Sequence, residues 1–135
     1  MLSQPRKVKF RKQFRGKRRG LSKGNRVTFG DYGLKCLGRG WFTPNQIEAG
    51  RRAIANKTKR KAKIWIRIFT DKPVTAKGAG APLGAGKGDV KGYVAVIKPG
   101  RIIYEVAGVP DDIAIESLKV AASKIPLRTK IIKKA

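Results

Sequence analysis

Gln46-Ile-Glu-Ala-Gly-Arg-Arg-Ala-Ile54 runs through Ala55-Asn-Lys-Thr-Lys-Arg-Lys-Ala62 into Lys63-Ile-Trp-Ile-Arg-Ile-Phe-Thr-Asp-Lys-Pro73. The first part has helical spacing, with Ile47, Gly50, Ala53, Ile54 and Thr58 on one stripe. The last part has strand content: Ile64, Ile66 and Ile68 share one face, and Trp65, Arg67 and Phe69 the other. One face of each element suits a core, while the other carries cations, and no acid lies between Arg51 and Phe69. Glu48 can pair with Arg52 one turn on, which leaves Arg51, Lys57, Lys59, Arg60, Lys61 and Lys63 without a local explanation. A helix and strand built this way expect a polyanion on the outer side.

The helix start is marked strongly. Thr43 is placed as N-cap, Pro44 at the first helical position and Gln46 as the return half of a capping box, with Phe42 and Ile47 as a hydrophobic staple. Upstream, residues 1–26 carry Lys or Arg at eleven positions and no acid, with Phe10, Phe14 and Leu21 as the few apolar anchors. Such a block cannot order by burial alone, and is read as an arm that orders on nucleic acid. Residues 27–135 then form one domain. Val27–Phe29 and Tyr32–Leu37 alternate and predict two short antiparallel strands split by Gly30-Asp31, with a turn at Gly38-Arg39-Gly40.

Downstream of Pro73, residues 76–92 hold six glycines and predict a long glycine-rich loop. The loop fails both nucleotide-binding patterns: Gly88 follows Gly86-Lys87 where Ser or Thr is required, and the third glycine of G-x-G-x-x-G is missing. Tyr93–Lys98, Pro99-Gly100 and Arg101–Val106 predict a hairpin. Pro110-Asp-Asp opens a second helix to about Lys124, its apolar seam on Ile113, Val120 and Ala121, widened by Leu118, Ala122 and Ile125. Four of the eight acids lie between Glu105 and Glu116, so this helix is expected to face solvent or protein. Leu127–Ile132 predicts a last strand. The fold class is α+β: a two-layer domain with a mixed or antiparallel sheet, two helices, the glycine-rich loop and the basic N-terminal arm.

The charge balance narrows function. Lys and Arg number 33 against 8 Asp and Glu, giving +25 with no histidine, the electrostatic footprint of a nucleic-acid binder. An anionic membrane surface would also fit the charge, but no apolar run approaches the roughly 20 residues that span a bilayer, and no membrane partner is expected. One cysteine, Cys36, allows no internal disulfide and is read as an inert, half-buried thiol. Without histidine, most zinc sites and nucleophilic dyads are gone, and no cofactor or metal is expected. Asp71 and Asp89 flank the loop and are better read as turn residues than as a metal pair. An enzyme acting on RNA is thus disfavoured. A free nucleic-acid-binding protein or chaperone stays open on charge alone.

Gln46-Ile-Glu-Ala-Gly-Arg-Arg-Ala53, the Lys63–Phe69 run and Asp71-Lys-Pro73 resemble the bacterial-type large-subunit ribosomal protein L-sixteen family. So do Met1-Leu2, Lys9-Phe-Arg-Lys12, Phe29-Gly30, Gly86-Lys-Gly88, Pro99-Gly100 and Ala121-Ala-Ser-Lys-Ile-Pro126, in order along nearly the whole chain. The resemblance implies a non-catalytic ribosomal protein, in the cytoplasm or an organelle, docked on 23S ribosomal RNA near the A site beside the elbow of transfer RNA. It helps shape that region and complete subunit assembly. Ribosomal RNA contacts are expected from Arg6, Lys7, Lys9, Arg11, Lys12, Arg15, Lys17, Arg18 and Arg19 of the arm, and from Arg51, Arg52, Lys59, Arg60 and Lys63. Lys77, Gly84, Gly86, Lys87 and Gly88 are expected on the loop that faces transfer RNA at the A and P sites and the peptidyl-transferase centre. 5S ribosomal RNA and neighbouring subunit proteins are further candidate partners, and self-association is not expected. The loop departs from the family at Pro82-Leu-Gly-Ala-Gly86, where two cations are missing, and an arginine that some relatives hydroxylate has no counterpart.

Overall fold

The computed structural model describes residues 4–7, 9–13, 15–16, 19–22, 24–76 and 86–135. Seven strands and two helices follow in the order β1 (Tyr32–Cys36), β2 (Gly40–Phe42), α1 (Pro44–Lys57), β3 (Lys63–Ile66), β4 (Lys72–Ala76), β5 (Asp89–Ile97), β6 (Ile102–Ala107), α2 (Asp111–Ala122) and β7 (Thr129–Lys133). The domain is α+β, as the pattern predicts. Its strands form two antiparallel sheets, one of four strands in the order β3-β6-β1-β7 and one of three in the order β2-β5-β4.

The predicted hairpin at Pro99-Gly100 is not a hairpin. β5 pairs with β2 and β4, whereas β6 pairs with β1 and β3, so Lys98–Gly100 carries the chain from one sheet into the other. Gly100 takes φ +95°, and its N–H donates to the Cys36 carbonyl at 2.7 Å, while the Cys36 N–H donates to Arg101 at 2.8 Å. The Pro-Gly signal reports a sharp turn, and side-chain alternation reports strands on either side, but neither says which strand each will pair with.

Four further boundaries shift. Val27–Phe29 is not a strand; its backbone turns inward onto a buried carboxylate described below. β2 occupies the predicted turn at Gly40, and β4 begins at Lys72, where Asp71-Lys-Pro73 reads as a stop. Pro73 is tolerated because β4 is an edge strand. Pairing of Ala76 with Asp89 makes residues 89–92 strand rather than loop. The loop residues Lys77 and Gly84 lie outside the described residues.

The core is where both helices meet the four-stranded sheet, around Leu34, Phe42, Ile47, Ile54, Tyr104 and Leu118, all at most 1% exposed. In α2 the buried face is Ala114, Ser117, Leu118 and Ala121, one step round from the expected Ile113 and Val120 seam. Small residues at Ala114, Ser117 and Ala121 leave room for a neighbouring element, and Ser117 meets its own hydroxyl requirement on the Ala114 carbonyl at 2.7 Å. Cys36 is fully buried rather than half-buried, and burial raises its thiol above the ordinary value.

Candidate nucleic-acid interface

α1 is set in place by both of its ends and by one internal contact. The Thr43 hydroxyl accepts from the Gln46 N–H at 3.3 Å, and the Thr43 N–H donates to Gln46 Oε1 at 3.0 Å, completing the expected capping box. Ile47, Gly50 and Ile54 face the core. Over Gly50 lies the Tyr104 hydroxyl, which donates to the Ile47 carbonyl at 2.6 Å. A Cβ at residue 50 would stand 2.3 Å from that oxygen. Burial pushes the Tyr104 phenol above the ordinary tyrosine value, so it stays a donor. The helix is thereby fixed in rotation, with Arg51 and Arg52 turned to the outer side.

Those two arginines are not equivalent. The Arg51 guanidinium forks onto Glu48, its Nε donating at 3.0 and 3.1 Å, and Nη2 also donates to Oε1. Arg52 Nε lies 3.3 Å from the same carboxylate and its side chain is 72% exposed. The hydrogen bond from Arg51 holds the Glu48 carboxyl below its ordinary range against the opposing effect of burial. The sequence points to the Glu48–Arg52 pair but leaves Arg51 unaccounted for. The structure gives Arg51 the better geometry, so the cluster presents about one net positive charge, chiefly through Arg52. Lys57 likewise finds Glu116 of α2 at 3.6 Å, an exposed pair of little energetic weight.

Beyond α1 the cations stand clear. Thr58 is buried, its hydroxyl donating to the Ile54 carbonyl at 2.8 Å, and the Arg60 N–H returns to Ala55 at 2.8 Å. Between them Lys59 and Arg60 adopt left-handed backbone at φ 54° and 63°, a conformation that disfavours residues with a Cβ by roughly 1–2 kcal/mol each. The turn throws Lys59, Arg60, Lys61 and Lys63 outward, all exposed, and none has an acid partner among the described residues.

The arm lies along the domain. Lys12 Nζ donates to the Lys87 carbonyl at 3.4 Å, Lys87 Nζ donates to the Gln13 carbonyl, and Lys72 Nζ donates to the Arg15 carbonyl at 2.8 Å. The Arg15 guanidinium sits 5.0 Å from the centre of the Trp41 ring. Further along, Arg39 donates to Gly20 at 3.2 Å, Ser22 to Pro99 at 2.9 Å and Ile102 to Gly24 at 3.0 Å. A carbonyl satisfies a lysine's hydrogen bond without cancelling its charge, so the assembled surface keeps its positive sign. Arg6, Lys7, Lys9, Arg11, Arg15 and Arg19 are exposed, and Lys12 is half-buried. Gly86 and Lys87 are exposed and Gly88 half-buried at the foot of β5. Lys17 and Arg18, expected in the same set, and Phe14 lie outside the described residues.

Glu105, in the middle of β6, is 0% exposed. Its Oε1 accepts the N–H groups of Thr28, Phe29 and Gly30 at 2.9, 2.8 and 2.9 Å, and its Oε2 accepts from Arg67 at 2.8 Å. Burial pushes this carboxyl up, but the donors from Gly30, Arg67, Phe29 and Thr28 outweigh it and hold the group below its ordinary range. The sequence signal for this site is a glutamate inside the apolar run Ile102–Ala107, which demands donors. No group of three or more Asp, Glu or Cys converges among the described residues in the manner of a metal site.

A family model for ribosomal protein L16p/L10e matches residues 5–132. Large ribosomal subunit protein uL16 of Kosmotoga olearia is 55% identical over 129 residues, covering 95% of this chain and 92% of the relative. Large ribosomal subunit protein uL16c of Jasminum nudiflorum is 55% identical over 133 residues, 98% of each chain. Large ribosomal subunit protein uL16 of Psychromonas ingrahamii is 51% identical over 131 residues, 97% of this chain and 96% of the relative.

Proposed function

This chain belongs to the ribosomal protein L16p/L10e family, and from that premise we propose that it binds 23S ribosomal RNA near the A site, helps position transfer RNA and helps complete the large subunit. It is a structural constituent of the large ribosomal subunit, not an enzyme, with ribosomal RNA and other subunit proteins as its surroundings. The observation that carries the finer reading is the band of exposed cations at Lys59, Arg60, Lys61 and Lys63, with no acid partner among the described residues, set beside Arg52 on a helix locked in rotation. The arm extends the same sign of charge. At +25 the folded chain repels itself, and a phosphate backbone relieves that repulsion. Gly86, Lys87 and Gly88 at the foot of β5 serve the loop that approaches transfer RNA.

Charge reversal tests this. Arg52→Glu with Arg60→Glu is expected to leave the fold intact by circular dichroism, and to deplete the protein from large subunits in sucrose gradients at high salt. Each lost phosphate contact should reduce the salt slope of binding to ribosomal RNA fragments by roughly 0.7 to 0.9. Normal co-sedimentation of the double variant with the large subunit would sink the reading.

The left-handed turn yields a prediction of opposite signs. Lys59→Gly or Arg60→Gly relieves an unfavourable backbone conformation, and should raise stability in urea unfolding by about 0.5–1 kcal/mol. The same changes remove a cation, so RNA affinity should fall.

A further inference from the structure

Phe29 is 57% exposed, yet its backbone is held firmly: its N–H and both neighbouring N–H groups end on the buried Glu105 carboxylate. Burying a carboxylate to fix a segment whose aromatic side chain then faces outward gains little for the core. The ring is held in a row. Its centroid lies 6.2 Å from that of Trp65, with 21° between the planes. Lys63 Nζ stands 5.2 Å from the Trp65 centroid on β3, and the Arg67 guanidinium 5.4 Å from that of Phe29. The order is cation, ring, ring, cation.

Beside the row opens a groove of about 830 Å³, lined by Phe29, Trp65 and Phe69 and by the cations Lys98 and Arg101, with Asp71 as an acid in the lining. Phe69 is 44% exposed. Arg101 Nη2 donates to the Arg67 carbonyl at 2.6 Å, which fixes the guanidinium without neutralising it. Arg67 itself is matched by Glu105, so Lys63, Lys98 and Arg101 supply the positive field. Flat apolar faces alternating with fixed cations match a strand of unstacked bases joined by phosphates. A duplex hides its base faces and offers the rings nothing. A protein partner would have to bring acids to this rim as well as apolar bulk, whereas RNA supplies both complements at every nucleotide.

We infer that this groove takes one or two unstacked bases of single-stranded RNA, stacked on Phe69 and on the part of Phe29 that Trp65 and Arg67 leave exposed, with the adjoining phosphates on Lys98 and Arg101. The site rests on the reading of the chain as an RNA-binding subunit protein, and it specifies unpaired rather than duplex RNA at this face.

The test uses the full chain, with fluorescence anisotropy against an unpaired oligouridine and against an RNA duplex across a salt series. Phe29→Ala and Phe69→Ala should each weaken oligouridine binding on the order of tenfold while leaving duplex affinity and the salt slope unchanged, because no cation is lost. Phe29→Leu keeps apolar bulk without the π face and should weaken oligouridine binding as Phe29→Ala does. Thermal unfolding of each variant checks that the fold persists. Unchanged oligouridine affinity in Phe29→Ala and Phe29→Leu, or an equal loss on the duplex, would overturn the groove while leaving the RNA-binding reading in place. Wild-type affinity in Phe29→Leu alone would point to a protein surface and overturn it too. Absence of salt-dependent binding of the wild-type chain to either RNA would overturn the broader reading first.

Discussion

Replacing Glu105 by alanine is expected to destabilise the domain by about 3–5 kcal/mol, the range for removing one partner of a buried, hydrogen-bonded ion pair. Arg67 would lose its counter-charge, and the N–H groups of Thr28, Phe29 and Gly30 would lose a shared acceptor inside the protein. Against total stabilities of about 5–15 kcal/mol, that is a large share. Glu105→Gln keeps one acceptor oxygen but no charge, and should lose less. The pH dependence has a definite sign. The folded carboxyl lies below its ordinary value of 4.5, so its contribution is complete above that value and fades as pH falls towards the folded pKa. The stability gap between wild type and Glu105→Gln, followed by urea unfolding, should therefore narrow as pH drops below about 4.5. A gap constant down to strongly acid conditions would mean that the charge on Glu105 does not matter to the fold.

Gly50→Ala is expected to be the second most damaging single change, although glycine to alanine within a helix ordinarily gains up to about 1 kcal/mol. The added Cβ would meet the Tyr104 hydroxyl at 2.3 Å and the ring carbon bearing it at 2.8 Å. Neither is a flexible end, since the hydroxyl is tied to the Ile47 carbonyl and the ring is fully buried. Overpacking together with loss of that hydrogen bond should destabilise by about 2–4 kcal/mol. Tyr104→Phe removes the closest atom but not the ring. The double variant should accordingly recover part of the loss, a coupling that a double-mutant cycle in urea would read directly. Additive losses would show that the two residues do not oppose one another.

Both effects act through residues whose partners are far along the chain, and that marks where the sequence stops being legible. The start of α1 could be read because Thr43, Pro44 and Gln46 act within one turn of each other. The Ile64–Ile66–Ile68 face was legible because alternation is local. The division into two sheets was not, because Pro99-Gly100 turns the chain in the same way whether β5 and β6 pair or part. β2 and β4 were hidden behind Gly40 and Pro73, residues that end strands in isolation but are accepted at edges. Of the candidate interface, the sign and location of charge were legible on the helix and the arm. The pairing of Arg51 was not, since Glu48 offers two arginines the same distance in sequence to within one residue, and only the folded helix shows which of them takes the forked geometry. Gly50 read as one member of an apolar stripe; that it leaves space for a phenol 54 positions later (104 − 50) could be seen only in the folded chain.

β1 sits between β6 and β7, with Tyr32 opposite both Val106 and Lys133. A nascent copy leaving the machinery that makes it therefore holds β1 with one side unpaired until residues 129–133 have emerged, long after the residues of α1. The helix and its cations can form early, whereas the sheet beneath them closes only once residues 129–133 are available. A chain this basic thus passes through a stage in which it displays both an open strand edge and its full affinity for polyanions, and shielding by a chaperone or immediate capture by its assembly site would guard against aggregation at that stage.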